Sequence, residues 1–482
     1  MMRVMLVNPP YHFWEPNKQY LERVLGHSPP LGLLSVASYA QAHCPGLDIE
    51  LLDAPALCLS PAATIEHIVA RKPDVVGIGV VTSALPSARR IAAGIKQHLP
   101  HTTVVTGGPH MGCRAEEALR QEPSFDYAVV GEGEQTFAEL LDAIAAQRSV
   151  AEISGLVHRN ATGAIQRNCP RALIENLDSL PLPAWDMLPG FPRRYPSNIF
   201  FSPSSRAASL CTSRGCVYRC RFCDQSTFGR SYRTLSPDTV VSAVEELIDR
   251  HGIRYIIFCD DNFTAHNDRV FAICDRLRTL KRPIAWSCDG NVMTVTRPLL
   301  KAMKAAGCWG ISYGIESGAP EVLDSLDKRI DLARARDVTI AAREEGIHVK
   351  GLFILGTPEE SPATIAATRR FLLETPFTTI NLSKFTPYPG SELHDEVAAD
   401  HEFDYAQLNG MNFVVPSKRL SIAALEREYA ETIRWFFGQP KVRREYLRLL
   451  GRWDSIKRLT GMAPWALRAW LFPERTVSQE HA

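Results

Sequence analysis

The chain has 482 residues, which is too long for one ordinary hydrophobic core and predicts about two or three domains. Its hydrophobic content of 45% and its charged content of 22% are typical of a soluble globular protein. A net charge of +1 gives no overall field that would attract nucleic acid or an acidic partner, so we expect no nucleic-acid function.

The N-terminus and the cysteine content indicate a cytoplasmic protein. The first apolar run meets Pro9 and Pro10 before it reaches the length of a signal peptide's hydrophobic region. No apolar stretch of about 18 residues or more occurs. Cysteines without a secretory signal fit a reducing compartment, where thiols stay free or bind metal.

Residues 1–145 alternate short β-branched runs with helical stretches, which is the pattern of a parallel sheet covered on both faces. The predicted strands are residues 4–7, 49–52, 75–80, 103–105 and 127–130. Ligands of such sheets bind outside the carboxyl ends of the strands, where glycines let the backbone approach a large ligand. The residues expected to contact a nucleotide-like ligand there are Asn8, Thr82, Ser83, Gly107, Gly108, Gly131, Glu132 and Gly133.

Residues 146–200 are predicted to be a linker, with a short strand at 155–158 and a proline-rich passage at 180–185. A second α/β pattern follows in residues 201–400. Its predicted strands are residues 207–211, 255–259, 285–288, 310–314, 349–355 and 379–383. These units are too few for an eight-stranded barrel, so we expect a partial barrel that is open to a bulky substrate.

Residues 401–482 are predicted to form a helical C-terminal domain. Residues 441–458 are rich in Lys and Arg among leucines and aromatics, and residues 465–472 carry two tryptophans. The simpler interpretation is a helical cap whose apolar face packs on the barrel. The alternative is a surface that touches a membrane or a lipid-like substrate.

Cys216, Cys220 and Cys223 have the spacing C-x3-C-x2-C on one predicted loop. Three thiolates can hold three irons of a [4Fe–4S] cube and leave the fourth iron open to a reacting ligand, whereas ferredoxin-type clusters use four cysteines. A zinc knuckle is the alternative, but no second Cys/His pair follows at short range. Cys211 is an alternative fourth ligand, although it ends an apolar run that predicts a strand.

The cysteine loop at residues 216–223 resembles the cluster loop of the radical S-adenosylmethionine superfamily, and residues 1–145 resemble the cobalamin-binding domain that precedes it in one large subgroup. Known anaerobic porphyrin-ester cyclases and radical C-methyltransferases belong to this subgroup. The resemblance implies an α/β protein with a Rossmann-like (flavodoxin-like) cobalamin-binding domain, a partial (β/α)6 barrel and a helical C-terminal extension. Further segments in the style of the subgroup are residues 30–34, 131–137, 178–181, 314–318 and 386–391.

The resemblance also implies three cofactors, which are a [4Fe–4S] cluster on the three cysteines, S-adenosylmethionine on its open iron, and cobalamin. The residues named above at the carboxyl ends of the first sheet, from Asn8 to Gly133, would be the cobalamin contacts. An electron donor such as flavodoxin or ferredoxin would drive cleavage of S-adenosylmethionine to a 5′-deoxyadenosyl radical. Phe222 would lie near the adenine, Asp260 and Asp261 near the methionine amine, and Glu316 near the ribose hydroxyls. Carboxylates suit both of the last two roles, although a helix cap and a salt-bridged surface carboxylate are the simpler alternatives for these acids.

The segment after the first strand departs from cobalamin domains that bind cobalt through a histidine. Those domains carry D-x-H-x-x-G, whereas this chain has Asn8 followed by Pro9, Pro10, Tyr11 and His12. Pro10 stands at the ligand position and cannot coordinate, and His12 is out of register. We therefore expect cobalt without a protein imidazole, which suits exchange of a methyl group or an electron.

The leading hypothesis is an enzyme that methylates an unactivated carbon of a small-molecule or lipid-like metabolite, with methylcobalamin as the methyl donor. One alternative is an oxidative cyclase or ring-rearranging enzyme that transfers no methyl group. Another is a non-catalytic redox sensor, which would have no need of an open iron. No residue pattern identifies the substrate or a catalytic residue beyond the cofactor sites.

Overall fold

The computed structural model describes residues 1–11, 26–198, 201–399 and 401–450. In the first α/β unit, five parallel strands lie in the order β2-β1-β3-β4-β5. Their apolar runs are buried on both faces, as expected for a parallel sheet. All five predicted strands are confirmed. The strands are β1 (Met2–Asn8), β2 (Leu47–Asp53), β3 (Val75–Gly79), β4 (Thr103–Gly107) and β5 (Tyr127–Val129).

Helices cover both faces of this sheet, and a hairpin extends one edge of it. The helices are α1 (Leu31–His43), α2 (Ala54–Leu57), α3 (Pro61–Arg71), α4 (Leu85–His98), α5 (Pro109–Gln121) and α6 (Gly133–Ala145). Two antiparallel strands, β6 (Leu156–Arg159) and β7 (Ile165–Arg167), follow β5. The sheet therefore continues into the segment predicted as linker, while the domain boundary at residue 145 stays a prediction. His12 lies outside the described residues.

The second α/β unit is an open barrel of six parallel strands whose order in space follows the chain. This confirms the partial barrel and its six predicted strands. They are β8 (Ala207–Leu210), β11 (Tyr255–Phe258), β12 (Ala285–Gly290), β13 (Cys308–Glu316), β14 (His348–Leu355) and β15 (Thr379–Lys384). The intervening helices are α7 (Pro237–His251), α8 (Asn267–Leu277), α9 (Arg297–Ala305), α10 (Pro320–Ser325), α11 (Leu332–Glu344) and α12 (Pro362–Glu374).

A small hairpin between β8 and α7 carries the cysteine loop. Its strands are β9 (Ser213–Arg214) and β10 (Arg233–Thr234), which pair antiparallel. Neither strand was predicted, because two residues are too short for a periodic pattern. The hairpin fixes both ends of the loop that contains the three cysteines.

Helix α13 (Glu392–Ala398) follows β15 within the range predicted for the barrel. The described residues 401–450 contain α14 (Ile422–Gly438) and α15 (Pro440–Leu450), as expected for a helical C-terminal extension. Leu425 and Phe436 on α14 are buried in the barrel's apolar core, and Arg369 on α12 pairs with Glu428 on α14 at 2.7 Å. Helix α14 therefore caps the barrel. Residues 465–472 lie outside the described part, within which no helix is long and apolar enough to cross a membrane.

Candidate functional site

The cysteine loop lies against the carboxyl edge of the first sheet. A Cβ atom at Gly112 of α5 would be 2.5 Å from Ser226 Oγ in that loop. A Cβ atom at Gly390, in the loop after β15, would clash with Asp224 and would lie 3.1 Å from Cys113 of α5. The carboxyl ends of the two parallel sheets thus open toward a shared region, which the cysteine loop enters.

Cys216, Cys220 and Cys223 lie on this loop between β9 and β10. The Gln225 side chain braces it by donating to the backbone oxygens of Cys216 at 3.3 Å and Tyr218 at 2.7 Å. Across the described ranges, no three Cys, His, Asp or Glu side chains converge as they would on a single metal ion. A [4Fe–4S] cube does not require such convergence, because each thiolate binds a different iron. The donor set therefore fits a cluster.

Cys211 follows directly after β8, at the barrel mouth. Its thiol donates to the backbone oxygen of Cys259, the residue after β11, at 3.5 Å. This thiol is engaged with the neighbouring strand, which supports the interpretation of Cys211 as a residue of the sheet edge.

Asp260 and Asp261 follow β11, yet their carboxylates lie in different surroundings. Asp260 is buried and accepts hydrogen bonds from the Thr212 backbone at 3.0 Å, the Thr212 hydroxyl at 2.9 Å and the Ser213 hydroxyl. Burial raises the pKa of Asp260 to about 6, although these donors oppose the shift. Asp261 is exposed. Of the two predicted amine contacts, Asp261 has the accessible carboxylate, while Asp260 anchors the start of the cluster hairpin.

Glu316 ends β13 at a register shift between β13 and β14, with a φ of +68°. A bulge of this kind redirects a side chain, and a positive φ at a residue other than glycine is a common feature of functional sites. Its carboxylate accepts a hydrogen bond from Lys328 Nζ at 2.9 Å. The same ammonium group lies 5.9 Å from the centre of the Phe222 ring. The structure thus joins two of the predicted S-adenosylmethionine contacts through Lys328.

Two buried polar atoms at the barrel mouth have no hydrogen-bond partner among the described residues. They are the Asn262 side-chain nitrogen after β11 and the Thr357 hydroxyl after β14. Buried polar atoms are nearly always satisfied, so these two point to a polar ligand at the same edge of the barrel. The residues present fit S-adenosylmethionine, which carries an amine, a carboxylate and ribose hydroxyls.

The carboxyl edge of the first sheet fits a large ligand with apolar surface. Gly107 ends β4, and Gly108 has a φ of +98° with Val80 O 3.0 Å from the position of an added Cβ atom. Val81, beside them, leaves 44% of its surface exposed. Thr82 is buried, its hydroxyl is 3.2 Å from His110 Nδ1, and Ser83 follows it in the same turn. This open edge suits the broad ring of a corrin.

The remaining predicted cobalamin contacts divide into two groups. The Asn8 side chain donates to Asp53 at 2.9 Å, and Asp53 also accepts from the Tyr195 hydroxyl at 2.9 Å. Gly131 and Gly133 flank Glu132, whose buried carboxylate binds arginines of the cluster hairpin. The role of these residues as cobalamin contacts stays a prediction. Glu132 could make such a contact only through its backbone, because its carboxylate is occupied by the two arginines.

Sequence reasoning missed the cations of this region. Lys328 follows α10 on a loop without a motif, and Arg214 and Arg233 occupy the hairpin that was not predicted. The partners of the two arginines lie far away along the chain, since Arg214 and Glu132 are 82 residues apart, whereas Lys328 is 12 residues from Glu316. The only available signal was that Arg214 stands two residues before the first cysteine.

Comparisons with known proteins agree with this geometry. The family model of the radical SAM superfamily matches residues 210–372, and that of the B12-binding domain matches residues 18–141. An uncharacterized methyltransferase from Pyrococcus horikoshii is 31% identical over 447 residues, which cover 92% of this chain and 94% of that protein. The anaerobic magnesium-protoporphyrin IX monomethyl ester cyclase of Rubrivivax gelatinosus is 28% identical over 92% of this chain and 81% of its own length.

Among solved structures, the radical S-adenosylmethionine methyltransferase TsrM from Kitasatospora setae, with cobalamin and a [4Fe–4S] cluster bound, superposes with a TM-score of 0.64. The two chains are 21% identical, and the match covers 83% of this chain and 75% of that one, which shows a shared fold. The chain therefore belongs to the radical S-adenosylmethionine superfamily, among the enzymes that carry a B12-binding domain and use a [4Fe–4S] cluster, S-adenosylmethionine and cobalamin.

Proposed function

We propose that this enzyme transfers a methyl group to an unactivated carbon of a small-molecule substrate. The observation that supports this most directly is the contact between the cysteine loop and the carboxyl edge of the first sheet, at Ser226 and Gly112. Because the two predicted cofactor sites adjoin this contact, a substrate bound between them would reach both. The relative from Pyrococcus, a methyltransferase by name, extends over both units.

When bound, the cofactors supply a 5′-deoxyadenosyl radical and a methyl donor. In the proposal, the three cysteines hold the cluster, and Glu316 accepts hydrogen bonds from the ribose hydroxyls. Asp261 accepts from the methionine amine, since its carboxylate is exposed whereas that of Asp260 is occupied by Thr212 and Ser213. Phe222, on the cysteine loop, contributes an apolar face for the adenine.

A second candidate is an oxidative cyclase or rearrangement enzyme without methyl transfer. The similarity to the Rubrivivax cyclase along 92% of this chain favours it as an alternative. Both candidates generate the same adenosyl radical and differ in the fate of the substrate radical that it produces. The products formed from S-adenosylmethionine therefore separate them.

The deciding experiment uses the anaerobic protein, reconstituted with cluster and cobalamin, and S-adenosylmethionine labelled in its methyl group, with a cell extract as the source of substrate. Methyl transfer predicts S-adenosylhomocysteine together with 5′-deoxyadenosine, and label in a new product detected by mass. Formation of 5′-deoxyadenosine without S-adenosylhomocysteine or labelled product would refute methyl transfer and favour the cyclase. If the reconstituted protein forms neither 5′-deoxyadenosine nor S-adenosylhomocysteine from S-adenosylmethionine, the result would instead support the non-catalytic redox sensor.

The electron donor in this proposal is a small acidic carrier such as flavodoxin or ferredoxin, in a cytoplasmic setting. Arg219 and Arg230 are exposed on the cysteine loop and supply positive charge beside the cluster. Replacing both with glutamate should slow reduction of the cluster by flavodoxin and leave reduction by dithionite unchanged. Equal slowing with both reductants would argue against docking at this loop.

Membrane contact through the C-terminal tail is a separate part of the proposal. It is motivated by the basic residues of 441–458 and the tryptophans of 465–472. Binding of the full-length protein to anionic liposomes, lost when residues 451–482 are removed, would support it. Absence of co-sedimentation at low salt would refute it.

A further inference from the structure

Two glutamates of the first α/β unit reach across to the barrel. Glu132 precedes α6 and Glu134 lies in its first turn, where carboxylates are favoured by the helix dipole. Their side chains are 2% and 5% exposed. Neither faces the carboxyl edge as a free ligand, because both carboxylates are held by arginines of the cluster hairpin.

Arg214 connects the two glutamates. Its guanidinium donates to Glu132 Oε1 and to Glu134 Oε1, each at 2.6 Å. Ser35 of α1 donates to Glu134 at 2.7 Å and completes the second contact. Burial acts to raise the pKa of Glu134, but Arg214 and Ser35 outweigh it, so the pKa is lowered and the group is ionised at neutral pH.

Arg233 is the second cation. It donates to both oxygens of Glu132, at 3.0 and 2.8 Å, and to the backbone oxygen of Ile174 at 2.7 Å. The Ile174 N–H in turn donates to Glu132 at 2.7 Å. Two buried carboxylates thus face the buried guanidinium of Arg233 and the guanidinium of Arg214, whose side chain is 15% exposed. The four charges balance, although Nε and Nη2 of Arg233 have no hydrogen-bond partner among the described residues. We call these four side chains the interdomain clamp.

The clamp holds the base of the cluster loop. Arg214 and Arg233 are direct partners in the antiparallel pairing of β9 and β10. Cys216, Cys220 and Cys223 all lie between these two residues in the chain. Both strands of the hairpin that presents the cluster are therefore tied to the loop that follows β5, which is part of the predicted cobalamin edge.

We propose that Glu132 and Glu134 are positioning residues, which fix the distance and orientation between the cluster and the cobalamin by fastening the cluster hairpin to the cobalamin-binding unit. This inference rests on the proposed placement of cobalamin at the carboxyl edge of the first sheet. A buried ion-pair network suits the role, because its geometry is directional and its loss leaves uncompensated buried charge.

The test uses the holoenzyme with Glu132→Gln, and with Glu132→Gln combined with Glu134→Gln. The matched control is Glu139→Gln on the same helix α6, because Glu139 pairs with Arg171, which belongs to neither strand of the hairpin. The first readout is the magnetic coupling between cob(II)alamin and the reduced cluster by electron paramagnetic resonance, which depends on their distance and needs no substrate. Loss of the clamp should weaken this coupling or broaden the distribution of its values. The Glu139→Gln control should show the same coupling as the parent enzyme.

The second readout is methylated product formed per 5′-deoxyadenosine. A misplacement of about 1 Å can cost about 100-fold in a reaction, so we expect this ratio to fall by about that factor with cluster and cobalamin content retained. Should the glutamine variants fail to load the cofactors, Arg214→Lys keeps the charge but cannot bridge both glutamates, and an intermediate fall is expected. Unchanged coupling in the loaded variants would overturn the inference. If the parent shows coupling but forms no methylated product, the proposed function fails and the clamp is still tested by the coupling.

Discussion

Replacement of Glu316 by glutamine separates its two suggested roles, as the partner of Lys328 and as a ligand of the ribose. The Glu316 carboxylate and the Lys328 ammonium group are 2.9 Å apart, and their side chains are 9% and 15% exposed. Loss of one member of a buried pair costs about 3–5 kcal/mol. Because both side chains keep some solvent contact, we expect Glu316→Gln to lower the free energy of unfolding of the barrel by about 2–3 kcal/mol.

The second effect of Glu316→Gln concerns S-adenosylmethionine. A hydrogen bond to a charged group contributes about 1.5–3 kcal/mol against about 1 kcal/mol for a neutral one, so affinity should fall about 2- to 30-fold. Urea denaturation measures the first effect, and anaerobic equilibrium dialysis of the cluster-loaded protein measures the second. Combining Glu316→Gln with Lys328→Met should recover much of the stability, because no unpaired ammonium remains, but not the affinity. Affinity within about twofold of the parent in Glu316→Gln would refute the ribose contact.

Three further outcomes are expected from single substitutions. Cys216→Ala should abolish the cluster, measured as bound iron and sulfide, whereas Cys211→Ala should retain the parent content; cluster loss in Cys211→Ala would contradict the three-cysteine assignment. Gly108→Ala should weaken cobalamin binding at least about tenfold, because its Cβ atom would crowd Val80 O at 3.0 Å, while Gly163→Ala, at a similar φ of +83° with open space around it, should not. Burial raises the pKa of Glu360 from 4.5 to about 7, so the folded protein holds this proton more tightly than the unfolded chain. The resulting contribution to the free energy of unfolding is fully present below about pH 4.5, and about 3 kcal/mol of it is lost as the pH rises through 7. Glu360→Gln should remove that loss, measured as the difference between urea midpoints at pH 5 and pH 8, and an unchanged difference would contradict it.

The predicted strands were recovered because a strand buried on both faces is a continuous apolar run, as in Val75, Val76 and Ile78 of β3. The same rule gives no signal for β9 and β10, which pair for two residues only. The three cysteines could be proposed as cluster ligands from the sequence because they lie within one loop at a fixed spacing, and this assignment stays a prediction. Contacts between residues far apart in the chain could not be predicted from the sequence. Arg233 and Glu132 are 101 residues apart, and their pairing depends on how the two units pack.

The acids near the motifs show why residue type alone does not assign a ligand. Asp260 and Asp261 are neighbours with the same chemistry, but the hydrogen-bonding capacity of Asp260 is occupied by Thr212 and Ser213. Glu132 belongs to the predicted cobalamin edge, yet its carboxylate has no oxygen left for a ligand. Burial and occupied hydrogen bonds therefore decide which member of a motif can bind, and these are properties of the folded chain.

The same contacts show how the cluster site depends on both units. Thr212 and Ser213 are held by Asp260 of the barrel, and the next residue, Arg214, is held by Glu132 and Glu134 of the first unit. Cys216 follows two residues later. Because consecutive residues are fixed from opposite sides, a shift of either unit would be transmitted to Cys216, the first of the predicted cluster ligands. The position of the cluster is therefore a joint property of the two units, which is what a reaction shared between two cofactors requires.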